Sequence, residues 1–182
     1  MSAFELQTRV GVFAFSALRV IAVSTLAAFS IAAKAQTSVG GHVGLVLPLV
    51  TSTNGQRSDL ANNFSIGFPA GITVKGTGRT AFDLEFISSV QDDPRDVTLT
   101  VHPGFLWNVG HGLAPGIRAA FVVNSSTYGF TPLLNKSWPI KGKGQLFKAY
   151  FVEADLPVRF NRPAGAPGTS SVGFALHLGL GF

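Results

Sequence analysis

Six charged residues and three histidines occupy a distinctive place in this chain, each set among large apolar neighbours in an alternating segment. Asp83 and Glu85 flank Leu84, Glu153 and Asp155 flank Ala154, Arg118 follows Ile117, and Arg159 separates Val158 from Phe160. His42, His102 and His177 sit in the same way beside Val43, Val101 and Leu176. In an extended segment successive side chains point to opposite faces, so these nine groups belong to the face opposite the apolar one. Four carboxylates, two guanidiniums and three imidazoles could form buried ion pairs, line an ion path, or supply acid–base chemistry. Buried charges are tolerated when they are partnered, and histidines make such a cluster responsive to pH near neutrality.

The elements that must position these groups read as strands. The cleanest is the last: Val172, Phe174, Leu176, Leu178, Leu180 and Phe182 alternate with Gly173, Ala175, His177, Gly179 and Gly181. The same period sorts Val43, Leu45, Leu47 and Leu49 from His42, Gly44 and Pro48. It sorts Phe64 through Val74 from Ser65 through Lys75, and Phe82, Leu84 and Phe86 from Asp83 and Glu85. Further strands run over 97–108, 113–124 and 150–160. A sixth, within 130–140, is the weakest, because Lys136 falls on its apolar face and Pro132 and Pro139 remove ladder donors. Either that strand is short or Lys136 snorkels from its edge.

Three Gly-x-Gly triplets, at 76–78, 110–112 and 142–144, separate hairpin-sized units, and glycine's access to positive φ suits tight reversals. No helical pattern or P-loop lysine follows them, so they do not read as phosphate cradles. Longer polar stretches at 51–62, 91–96, 124–129 and 161–171 alternate with the triplets. Three turns and four loops connect eight strands, an even number that closure requires. The inner, non-apolar face is rich in glycine and alanine, which suits a crowded small bore better than a wetted surface. A soluble lipocalin-like barrel or β-sandwich remains the alternative fold, with its apolar face turned inward.

The N-terminus supplies an address. Arg9 and Arg19 precede an uncharged run from Val20 to Ala33, and Ala33-Lys34-Ala35 offers small residues for signal peptidase. Residues 1–35 therefore read as a secretory signal cut after Ala35, with 36–182 as one mature domain. The uncharged run falls short of the about 20 residues that a spanning helix needs. The chain has no cysteine, which excludes disulfides, thiolate metal sites and lipoprotein acylation. Its formal charge of +5 falls by two on loss of Arg9, Arg19, Lys34 and Glu5, and the remaining charges form no basic cluster. A nucleic-acid partner is excluded on that ground.

On these features the chain resembles the small eight-stranded outer-membrane barrels of the OmpA and OmpX group. The resemblance spans residues 36–182 and rests on the signal, the hairpin rhythm and the closing strand. It implies an all-β, antiparallel, up-and-down transmembrane barrel in a Gram-negative outer membrane, monomeric and surrounded by lipid. It also implies that Val172, Phe174, Leu176, Leu178, Leu180 and Phe182 serve as the signal read by the barrel-assembly machinery. Function varies widely across such barrels.

Eight strands leave a bore that side chains fill, so Asp83, Glu85, Arg118, Glu153, Asp155, Arg159, His42, His102 and His177 are expected to form a lumen plug and no wide channel. A gated ion path is the sharper alternative. A lipid-modifying acyl hydrolase or transferase is a second one, since acyl transfer needs a nucleophile beside a base within reach of lipid. The deacylases that this fold resembles carry His and Ser on the lipid-facing wall. Here three histidines face the lumen, His111 lies in a turn, and Ser88 faces outward without a base. The expectation is no catalytic site, no cofactor and no metal. In the loops, Asp92, Asp93 and Asp96 lack a matching ligand set and suit a turn around Pro94. Asn54, Gly55, Arg57, Asp59 and Arg95 complete a small loop surface available for recognition.

Overall fold

The computed structural model describes residues 38–92, 94–142 and 144–182, so the expected signal peptide and its cleavage point lie outside the described residues. Ten strand segments follow one another: β1 (Ser38–Thr53), β2 (Gln56–Asp59), β3 (Ser65–Lys75), β4 (Thr80–Gln91), β5 (Asp96–Trp107), β6 (Leu113–Val122), β7 (Thr127–Pro139), β8 (Ala149–Asp155), β9 (Val158–Asn161) and β10 (Thr169–Gly181). They make eight walls. β2 continues the wall of β3 against the upper part of β1, and β9 continues that of β8 between β7 and β10. Each wall is antiparallel to its neighbours in chain order, and β10 returns to pair with β1. The result is a closed, eight-stranded, up-and-down barrel.

Closure joins the two strands with the clearest alternation. Val43 faces Leu180, Leu45 faces Leu178 and Leu47 faces Leu176 across the seam. Gly41 and Phe182 exchange backbone hydrogen bonds of 3.0 and 2.9 Å at its end. The Phe182 ring lies over Gly41, where a Cβ would collide with it, and meets Phe147 edge-on at 6.4 Å. Higher on the seam the register shifts between Pro48 and Val50. Such a bulge shifts the strand by one residue, so Leu49 has no partner on β10 and Val50, which strict period 2 would turn inward, faces the outward Phe174.

The sixth wall is present, and of the two readings of Lys136 the second holds. β7 is a regular strand from Thr127 to Pro139, paired with β6 from Leu113↔Lys136 to Phe121↔Tyr128. Lys136 does lie on the outward face, and it snorkels: its Nζ reaches the carbonyl of His111 and stands 5.4 Å above the Trp138 ring. The break instead falls in the next wall, where Leu156 and Pro157 interrupt β8–β9. Pro157 has no N–H to give the ladder, yet the register runs on: the Leu156 N–H donates to the Pro132 carbonyl and the Gly173 N–H to that of Pro157, each at 2.9 Å.

The turns differ from the expected short-and-long pattern. Residues 51–59 are a strand extension closed by Asn54-Gly55, with φ of 49° and 85°, the two-residue hairpin signature, and 60–62 form a turn. The connection at 140–148 outlasts the loops at 92–95 and 123–126 on the opposite end. The glycine triplets also divide. Gly110, His111 and Gly112 all have positive φ, and a Cβ on Gly112 would strike the backbone carbonyl of Ser137. Gly76 and Gly78 have neither positive φ nor a near neighbour. Gly112→Ala should therefore lower stability by about 2 kcal/mol in urea unfolding followed by tryptophan fluorescence. Gly76→Ala should change it by less than about 0.5 kcal/mol.

Candidate functional site

The barrel is apolar outside and charged inside. Asp83, Glu85, Glu153 and His177 are the largest side chains with essentially no exposure, and Arg118 keeps only 3%. His42, His102 and Asp155 are buried with them, while Arg159 is half-buried. All nine residues that alternation turns away from the apolar face thus point into the lumen. They come from β1, β4, β5, β6, β8, β9 and β10.

Register explains how side chains on different walls reach one another. Asp83 faces Gly104, which in turn faces Arg118, so the guanidinium crosses over a residue with no side chain. A Cβ on Gly104 would run into Arg118 itself. The same device recurs where His42 faces Gly71 and Gly71 faces Glu85. A Cβ on Gly71 would overlap the His42 ring. On the far wall Glu153 lies directly between Asn135 and His177. Glycine between two long partners is what lets strands on a tight circumference present facing charges without overpacking.

Arg118 is the centre of the network. Its Nε donates to Asp83 Oδ2 at 2.8 Å, both terminal nitrogens donate to Glu153, and Glu85 Oε1 lies 3.6 Å from Nη1. Asp83 also accepts from Thr73 at 2.6 Å, and Glu153 from Asn135 at 3.0 Å. Glu85 accepts from His42 Nε2 at 3.0 Å and from His102 Nδ1 at 3.4 Å. Arg159 donates to Nε2 of His102 and to Thr131, each at 3.1 Å, which assigns the His102 proton to Nδ1. His177 Nδ1 donates to Glu153 Oε1 at 3.3 Å. Phe151 fills the space beside it, edge-on to His177 at 4.9 Å and to His42 at 5.9 Å.

Two features of the lumen bear on what can pass. Beside the charged layer, Val46, Ile87 and Ala175 make a small apolar cluster, so the bore is filled there by hydrocarbon. At the end of the barrel bearing Ser38 and Phe182, a cavity of about 440 Å³ opens instead. Lys75, Arg79 and Lys148 line it, and it reaches inward to His42, Asp83, Arg118 and Glu153. Water and small solutes therefore have access to one side of the network.

Several participants escaped sequence reading. Asn135 belongs to the strand whose prolines and Lys136 obscured the alternation, and Phe151 is an apolar residue at a lumen parity position. Parity alone could have found Phe151, because it sits between outward Tyr150 and Val152. Among the remaining candidates, Ser88 is exposed on the outer wall, opposite Phe68 and Leu99 in the ladder. His111 lies in its left-handed turn. No family model matches the chain, and no curated protein or solved structure matches it either.

Removing Arg118 strands three carboxylates, and breaking a buried ion pair from one side costs about 3–5 kcal/mol. Arg118→Ala should lose stability on that scale in urea unfolding. Gly104→Ala should lose about 1–3 kcal/mol by overpacking, although it removes no polar group. Equal stability of Arg118→Ala and the parent chain would show that the network does not hold the barrel.

Proposed function

We propose that this chain is an integral outer-membrane β-barrel, exported through its N-terminal segment and inserted by the barrel-assembly machinery through its closing strand. The observation that carries the reading is the inversion of polarity across the wall. Phe68, Ile72, Phe86, Leu99, Phe105, Ile117, Phe121, Leu134, Tyr150, Phe174 and Leu178 are exposed around the whole circumference. Charged residues on the outward face of the walls are few among the described residues: Lys136 on β7 and, by register, Arg57 and Asp59 on the short β2 extension at the rim. A soluble protein does not leave so continuous an apolar surface in water. The lipocalin-like alternative requires the opposite arrangement, with the apolar face inside.

The ends of that surface support the same reading. Near one rim Trp138 stacks on Tyr150 at 5.2 Å with Lys136 above it. Near the other, Tyr128 and Phe130 pack on Phe160, and Arg162 stands 5.7 Å from the Phe160 ring. Aromatic rings capped by cations suit the boundary between lipid and headgroup. Tyr128 and Trp138 lie ten positions apart on β7. At about 3.4 Å per residue and a tilt of about 40°, they are separated by about 25 Å along the barrel axis, the height of a membrane-facing band.

The role we assign is structural or ligand-binding, with at most minor solute permeation. The ion pairs and the Val46–Ile87–Ala175 cluster act as a plug. Catalysis is not part of this reading: the lumen histidines are committed to carboxylates, and Ser88 has no base beside it. The protein should migrate differently on gels with and without heating, and its β signal should require detergent or lipid. A folded monomer in plain buffer would overturn the membrane reading. In planar bilayers the parent chain should give no steady conductance. A steady conductance that Arg118→Ala or Glu153→Ala abolishes would overturn the plug.

A further inference from the structure

The lumen holds more negative than positive charge. Asp83, Glu85, Glu153 and Asp155 face Arg118 and Arg159, and the balance is left to three imidazoles. Most of these groups satisfy one another, as described above. Asp155 does not. Its Oδ1 is enclosed, has no hydrogen-bond partner among the described residues, and belongs to a side chain in a residue only 6% exposed. Its β8 neighbour two residues earlier, Glu153, is another carboxylate on the same face. Across the ladder Asp155 faces Ala175 and Glu153 faces His177. One donor atom each from Glu153, Asp155 and His177 lie within 4.8 Å of one another, all on buried residues.

We propose that Glu153, Asp155 and His177 bind a divalent transition-metal ion, of the Zn²⁺ or Mn²⁺ class, inside the barrel. One imidazole nitrogen with two carboxylate oxygens suits those ions and departs from the all-oxygen shell of Ca²⁺. The ion takes the place of the hydrogen bond between His177 Nδ1 and Glu153 Oε1. His177 gives up its Nδ1 proton to solvent and turns that lone pair to the metal. Glu153 keeps Arg118 and Asn135 as partners that orient it, in the manner of outer-sphere groups around metal carboxylates. Asp155 contributes the oxygen that otherwise has nothing to meet. Bond lengths near 2.0–2.2 Å set tetrahedral donors about 3.4 Å apart, so binding draws the widest pair together by up to about 1.4 Å, a movement that side-chain rotation supplies. The cavity that touches Glu153 gives the ion its entry and water for its open positions. The added positive charge offsets the excess of carboxylate where it is greatest.

The test uses the mature chain refolded in detergent, loaded with Zn²⁺ alone, desalted, and analysed for metal by mass spectrometry. The parent should retain about one equivalent, and D155N and H177Q each about a tenth of that or less. The loop variant D92N should retain as much as the parent. Zn²⁺ should raise the thermal midpoint of the parent and leave D155N unmoved. If either variant fails to fold, Co²⁺ loading of the parent decides the matter through the visible absorption of a nitrogen- and oxygen-ligated ion. No retained Zn²⁺ and no Co²⁺ absorption in the parent would overturn the site, and would leave a proton shared between Asp155 and Glu153 as the occupant. Retention by D155N and H177Q equal to the parent's would overturn it as well. These readings are independent of the gel and bilayer experiments, so either proposal can fail alone.

Discussion

A guanidinium that never gives up its charge, enclosed to within 3% of complete burial, demands carboxylate on every side it presents. In this barrel Asp83, Glu85 and Glu153 supply it, from β4 on one side and β8 on the other. That demand propagates outward. Each carboxylate has oxygens beyond those Arg118 can satisfy, and Thr73, Asn135, His42, His102 and His177 take them up. His102 in turn engages Arg159, which closes the network toward β9. Walls far apart around the circumference are thereby tied through the bore as well as along their edges.

The barrel turns the usual arrangement of a domain inside out. Its hydrocarbon faces the surroundings, and the few buried apolar side chains, Val46, Ile87, Leu133 and Phe151 among them, fill gaps around polar groups. Stability in such a molecule cannot come mainly from hiding apolar surface within itself. It comes from a closed ladder that leaves no edge and from a polar core in which almost every donor and acceptor is met. Asp155 Oδ1 and His177 Nε2 depart from that rule, at a place where two carboxylates crowd together.

Much of the wall was legible in the chain. Period-2 alternation identified the strands and, by parity, the nine lumen residues, because a strand's two faces are dictated by geometry alone. It failed where that geometry is interrupted. Leu49 lies at a register shift, where strict alternation loses count. Elsewhere it held: alternation runs through Leu156-Pro157 without a change of register, and β7, expected as the weakest strand, is regular. Polar stretches such as 51–62 read as loops, yet part of this one is strand, since backbone pairing does not require apolar side chains. Triplets of glycine looked alike in sequence; Gly110, His111 and Gly112 all take positive φ, whereas Gly76 and Gly78 do not.

By itself the sequence determined which residues face inward, that the walls are even in number, and that the closing strand is apolar along one whole face. Those are local properties, set by alternation and by turn chemistry within a few residues. The tertiary structure alone decided who meets whom. The pairing of Arg118 with Asp83 across Gly104, of His42 with Glu85 across Gly71, and the meeting of Glu153, Asp155 and His177 all depend on strand register. Register is a relation between distant segments, fixed when the sheet closes, and a shift of one residue would send each of these groups to the opposite face.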